Sequence, residues 1–159
     1  MGDGKSSIRE LIVMYGEGYD VIIASLDGIT EVELDTAEAP GEWTPRQVVH
    51  HLGDSELISA GNARKIAAHD NPLISGYDHE LLAEKLWVGV PVETSLDAFR
   101  GARVGTMPLL LSLSETDFQR TFHNPEGETY TLYDWLTWYG PHAHGHADQI
   151  RRARAKARG

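Results

Sequence analysis

WTPRQVVHHLGDSELISAGNARKIAA, residues Trp43 to Ala68, is the stretch from which the rest of the chain can be read. Thr44 fits an N-cap, Pro45 the first helical position and Gln47 the third, a capping box with proline where a helix tolerates it best. Trp43 before the cap and Val48 at the fourth position can close a hydrophobic staple over the start. With Val48 set at zero and about 100° per residue, Leu52, Ser55, Ser59, Ala63 and Ile66 all fall within about 60° of it. That small and apolar stripe is the inner face of a helix running to about Ala68 and ending before Asn71-Pro72.

Toward the N-terminus, Ile8, Leu11, Ile12, Tyr15, Tyr19, Ile22 and Leu26 recur at helical spacing, and Gly28 is a natural stop. Residues 29 to 42 contain Pro40-Gly41 and no helical period, so they read as loop. Residues 70 to 93 read as a long crossover with a short helix around His79 to Leu86, closed by Pro91. A third long helix is expected from Ser95 to about Leu113, capped by Thr94 or Ser95, with a kink or restart at Pro108. Around Asn124-Pro125-Glu126-Gly127 a small β-hairpin and a plain loop fit equally well. The last helix is expected from Thr131, Leu132 or Tyr133 to about Lys156, interrupted at Gly140-Pro141 because proline removes a backbone donor. Four long helices with a crossover between the second and third predict an all-α four-helix bundle.

The 159 residues fit one domain over 1–159, with residues 1–5 and 157–159 expected to be disordered. A hydrophobic share of 41% excludes wholesale disorder. No apolar run reaches the roughly 18 residues of a membrane span, and MGDGKSSIRE lacks the apolar region of a signal peptide. The absence of cysteine excludes disulfides, a thiolate metal site and a cysteine nucleophile. These features predict a soluble cytoplasmic protein with no membrane partner. A net charge of −10 repels phosphate backbones and argues against nucleic acid as a partner. Five of the 14 basic residues crowd into RRARAKARG at the C-terminus, where they suit the negative end of a helix dipole.

Of the eight histidines, three lie within HAHGH. His142 and His146 are four residues apart, about 40° on a helix, and they continue the seam Leu132, Trp135, Leu136, Tyr139. Both rings should therefore point into the bundle, with His144 facing outward. On the second helix His51 lies at about −60°, on the edge of the inner face, and His50 at about 200°, on the far side. His69, His79 and His123 read as solvated. Two readings fit the inward rings. His51, His142 and His146 can form a divalent-metal site, since imidazole is a good ligand for Zn²⁺. Alternatively, they are core histidines hydrogen-bonded to backbone, Tyr139 or Ser55, because buried imidazoles need partners.

WTPRQVVHHLGDSE resembles the second-helix motif of the DinB/YfiT-like superfamily, and HAHGHADQI resembles its last-helix motif. GYDHELLAEKLW in the crossover and DFQRTFHNPEGETYTLYDWL before the last helix are similar to YfiT-like sequences. The resemblance covers nearly the whole chain. It implies a four-helix bundle, commonly a homodimer, with a three-histidine site for Zn²⁺ or Ni²⁺ whose ligands fall on His51, His142 and His146. It also implies a metal-dependent hydrolase of small molecules, or an S-transferase using a low-molecular-weight thiol such as bacillithiol or mycothiol. Two positions depart from the pattern: Gly140-Pro141 directly precedes the first ligand of the last helix, and a third-helix arginine position holds Gly105, with Arg103 nearby at another phase.

Three neutral imidazoles leave part of a cation's coordination sphere open, as in catalytic rather than structural zinc sites. Such an ion acidifies a water or a thiol beside it, and a chain without cysteine must receive any thiol with a co-substrate. For acid–base work the candidates are Glu56, Asp54 and Tyr139. Glu56 at about 80° and Asp54 at about −120° read first as solvated positions, and Tyr139 as a core aromatic. Trp43, Trp135 and Trp138 serve either as pocket walls or as core. Two other functions fit the same residues, a metal-binding stress-response or sensor module without turnover and a structural bundle whose histidines are core.

Overall fold

The computed structural model describes residues 6–159, so the disorder expected over residues 1–5 lies outside the described residues. Helix α1 spans Ile8–Leu26, as its apolar period predicts, and Gly28 follows at φ 63°. Ser7 and Glu10 cap it reciprocally: Glu10 N–H donates to Ser7 Oγ at 3.2 Å and Ser7 N–H to Glu10 Oε2 at 2.7 Å.

The stretch 29–42 is not all loop, because a short helix α2 forms over Glu31–Leu34. Its signal is a capping box, Thr30 with Glu33, whose donors meet at 2.8 and 3.2 Å. Four residues have no hydrophobic period, which is why periodicity passes over it. The basic C-terminal segment holds it in place: Arg158 Nε lies 2.6 Å and Arg154 Nε 3.4 Å from Glu33 Oε1, and Arg152 Nε lies 2.8 Å from Glu38 Oε1.

Helix α3 spans Pro45–Ala68 with the Thr44–Gln47 capping box in place. In the crossover, α4 covers His79–Lys85 and is capped by Asp78. Helix α5 runs Val92–Ser112, beginning three residues before Ser95 with Pro91 at the cap position. Neither Thr94 nor Ser95 caps it; Ser95 is buried against α3 instead. Pro108 sits within α5 without ending it, and Arg64 braces the adjoining turn by donating to Gly105 O and Thr106 Oγ1. The hairpin forms, pairing β1 (Thr121–His123) with β2 (Thr129–Thr131) antiparallel, Phe122 opposite Tyr130. The start of the crossover adds a parallel bridge from Leu73 to His123.

The last helical segment divides into α6, Leu132–Tyr139, and α7, His142–Arg158. Gly140 (φ −55°, ψ −61°) and Pro141 (φ −82°, ψ −5°) stay close to helical conformation, so the interruption removes bonds more than it changes direction. A Cβ at Gly140 would stand 2.9 Å from Leu136 O and 3.0 Å from Leu11 O, so glycine permits the close approach to α1. Helix α7 continues past Lys156 to Arg158, beyond the order expected there.

α3 packs chiefly on α5, and α1 on α7, which gives the four-helix bundle expected from the sequence, with α6 and α7 sharing one of the four positions. One apolar cluster gathers Leu11, Tyr15, Ile66, Leu110, Leu132 and Trp135, and a second gathers Ile22, Val48, Leu52, Phe99, Ala147 and Ile150. Arg103 joins them, its guanidinium 4.1 Å from the Tyr15 ring and 4.8 Å from the Phe99 ring. Glycine at position 18 makes room for it, since a Cβ there would overlap the Arg103 guanidinium.

Candidate metal centre

The capping box that starts α3 and the break that starts α7 set the phases of the two elements on which His51, His142 and His146 lie. Their rings meet. His51 Nε2 is 3.4 Å and His146 Nε2 3.1 Å from His142 Nε2, and one nitrogen from each ring lies within 4.8 Å of the others. Nitrogens at the corners of a tetrahedron with metal–nitrogen bonds near 2.0 Å are about 3.3 Å apart. The donor set, three imidazole nitrogens and no carboxylate among the described residues, suits a borderline divalent cation. The residues therefore fit the group that the sequence pattern implies.

Burial is the main reason these rings stay neutral. It holds His51 down to about 3 and His142 to about 2, with neighbouring rings adding repulsion, and it lowers His146 as well. Neutral imidazole is the form that ligates. His146 Nδ1 lies 2.8 Å from Gln149 Oε1, and the tautomer that donates there leaves the Nε2 lone pair facing the cluster. His142 Nδ1 is buried with no partner among the described residues.

Trp43 packs on both helices' ligands, its ring centroid 4.7 Å from His51 and 6.4 Å, nearly parallel, from His146. The cluster opens into a cavity of about 420 Å³ walled also by Ser55, Tyr77, His79, Trp138 and Tyr139. Burial raises the Tyr139 hydroxyl to about 12 and raises Tyr77 too, so both remain protonated donors. His79, expected to be solvated, is half-exposed but stands at the cavity, 5.8 Å from His51 between centroids. The signal for it was Asp78 as a helix cap, which fixes His79 at the first turn of α4.

Other expected positions turn out differently. Glu56 is not on a solvated face: it is fully buried, accepts from Arg103 Nε at 3.0 Å and from the Tyr15 hydroxyl, and does not line the cavity. Burial pushes its carboxyl upward, opposed by Arg103 and Tyr15. Asp54 accepts from Trp87 Nε1 at 2.8 Å, away from the cluster. His50 is buried rather than outward, its Nδ1 2.7 Å from Ser95 Oγ and its ring stacked on Trp87. His144 is half-buried, its Nε2 3.1 Å from Met14 O. His123 is also half-buried, whereas His69 and His79 are exposed, as expected.

Among the described residues no helix is long and apolar enough to cross a membrane. Residues 14–150 match the model of the DinB superfamily. A "putative metal-dependent hydrolase" of Oceanobacillus iheyensis is 35% identical over 124 residues, covering 74% of this chain and 70% of the relative. A protein of the same description from Geobacillus thermodenitrificans is 32% identical over 155 residues, covering 94% and 85%. The solved structure of YfiT from Bacillus subtilis, described as a probable metal-dependent hydrolase with an unusual four-helix bundle topology, superposes with a TM-score of 0.87. It is 27% identical, over 98% of this chain and 92% of that one. The matched span holds every ring of the cluster and runs from mid-α1 to mid-α7, and on that footing the chain belongs to the DinB superfamily.

Proposed function

We propose that this protein is a metal-dependent hydrolase of small molecules in which His51, His142 and His146 hold one divalent cation, Zn²⁺ or Ni²⁺. The observation that carries the reading is the convergence of three Nε2 atoms from two helices, at 3.1 and 3.4 Å, on rings that burial keeps neutral. When bound, such a cation polarises a carbonyl and lowers the pKa of a water toward neutrality. The chain's own groups orient and exclude. Gln149 fixes the His146 ring, Trp43 covers two of the ligands, and Tyr139, protonated up to about 12, can donate to charge that develops on a substrate oxygen. The names of the relatives support hydrolysis.

A low-molecular-weight thiol in place of water would make the same centre an S-transferase, and a chain without cysteine would need that thiol as co-substrate. The test begins with elemental analysis of the purified protein, expected to give one divalent ion per chain. Ester, amide and electrophile panels follow, each with and without glutathione, bacillithiol or mycothiol. Turnover without thiol, lost in His146→Ala, supports the hydrolase; turnover only with thiol selects the transferase. A metal-loaded protein inert on every panel points to the sensor module, and protein without stoichiometric metal removes the reading.

A further inference from the structure

Next to the histidine cluster lies a second, larger cavity of about 670 Å³, between α3, the crossover, the hairpin and α6. It shares the wall residues Tyr77, Trp138 and Tyr139 with the histidine-lined cavity, so the two lie side by side. Its volume is within the range that holds a whole small ligand. One wall is aromatic: Phe122, Tyr130 and Trp138 contact one another at centroid distances of 5.2 to 6.3 Å. Trp138 is 46% exposed, a large apolar surface left open at the junction of the two cavities.

The charges in this cavity have one sign. Asp78 and Glu126 are among its lining residues, and no lysine, arginine or histidine is, among the described residues. Asp78 is held in place by capping α4, its Oδ1 accepting from Leu81 N–H at 2.9 Å. Exposed π faces beside carboxylates attract cations and repel anions. The pair of adjoining cavities is thus polarised, with imidazole lone pairs suited to a metal cation in one and carboxylates in the other.

We infer that this cavity is the side-arm site of the substrate, and that it takes an apolar, aromatic-sized group bearing an amine rather than a carboxylate. The inference rests on the histidine cluster being the reacting end. It names the substrate class: a small molecule whose electron-rich group faces the cluster while its body lies on Phe122, Tyr130 and Trp138 and its ammonium points to Asp78 and Glu126.

Calorimetric titration with two probes of similar size, phenethylammonium and 3-phenylpropionate, tests this. The comparison is made in metal-free wild type and in His146→Ala, because a bound metal would itself attract the carboxylate. The amine is expected to bind about tenfold more tightly than the acid at low salt, a gap of one or two cation-attracting contacts. The double variant Asp78→Asn/Glu126→Gln should shrink that preference about threefold or more, and Trp138→Ala should weaken the amine about fivefold. Trp138 is half-exposed and asparagine still caps α4, so circular dichroism should show all variants folded. Equal or tighter binding of the acid, or amine binding indifferent to both sets of changes, would overturn the inference. If wild type takes up no metal yet binds the amine in this cavity, the hydrolase reading fails and the side-arm site stands. Metal uptake without amine binding does the reverse.

Discussion

Arg103 donates through Nη2 to the carbonyl of Tyr139 at 3.1 Å, tying α5 to the last residue of α6 just ahead of the break that precedes His142. Helix ends leave carbonyls without intrahelical donors, and a buried guanidinium supplies one here. The same group holds Glu56 at 3.0 Å and the carbonyl of Tyr15, so one side chain from α5 fastens α1, α3 and α6 behind the histidine cluster.

Replacing Arg103 by Met should therefore cost about 3–5 kcal/mol, because the buried carboxyl of Glu56 is left uncompensated. Removing both charges with Glu56→Leu/Arg103→Met should recover more than half of that loss, since the desolvation penalty disappears with the pair. Urea unfolding of the two singles and the double completes the cycle. A double variant no more stable than the single would mean that the backbone contacts of Arg103, not the ion pair, dominate.

The ligand assignment predicts a sharp split among neighbouring histidines. His51→Ala, His142→Ala and His146→Ala should each lose stoichiometric metal while keeping a helical spectrum. His144→Ala should keep it. His50→Ala should keep the metal too, yet lower the unfolding free energy by about 1–3 kcal/mol, because Ser95 loses its partner and Trp87 its stacking surface. Elemental analysis beside thermal denaturation reads both, and metal loss in His50→Ala without unfolding would contradict the geometry.

These contrasts also mark where the sequence was readable. The Thr44-Pro45-Gln47 start fixed the phase of α3 closely enough to turn His51 inward, and the four-residue spacing did the same for His142 and His146. Glu56 and Arg103 were not readable as core, since a helical wheel sorts charges outward and each is buried only because the other is there. His50 was missed for a related reason: its side of α3 is covered by Ser95 at the start of α5 and by Trp87 in the crossover, and neither reveals its position by period. Gly140-Pro141 departs from the family pattern and interrupts the last helix, but both residues keep near-helical angles and the histidine rings still meet.

Stability of the metal-free protein should fall as pH is lowered from about 7 toward 4. Folded His51 and His142 titrate at about 3 and about 2, held down first by burial, whereas the same rings in the unfolded chain titrate near 6.5. Below 6.5 the unfolded state binds more protons, so stability is fully present above that value and lost as pH drops toward the folded values. Each ring can contribute a slope of up to about 1.4 kcal/mol per pH unit. His142→Ala should flatten the dependence of the urea midpoint on pH between 6 and 4. An unchanged slope would mean that the ring is already charged, or free to charge, in the folded protein.

The break itself gives the last prediction. Gly140→Ala would place a methyl group 2.9 Å from Leu136 O and 3.0 Å from Leu11 O, both backbone atoms that cannot swing aside. Overpacking of this kind costs about 1–3 kcal/mol, and the strain falls on the residues that aim His142. Pro141→Ala adds no such clash, because residue 141 already has near-helical angles, and it restores a backbone N–H. Gly140→Ala is thus expected to lower both the unfolding midpoint and the affinity for Zn²⁺, measured by competition with a chromogenic chelator, while Pro141→Ala leaves the affinity within about twofold. If alanine at 140 is harmless and alanine at 141 abolishes binding, the missing amide rather than the close contact with α1 is what positions the ring.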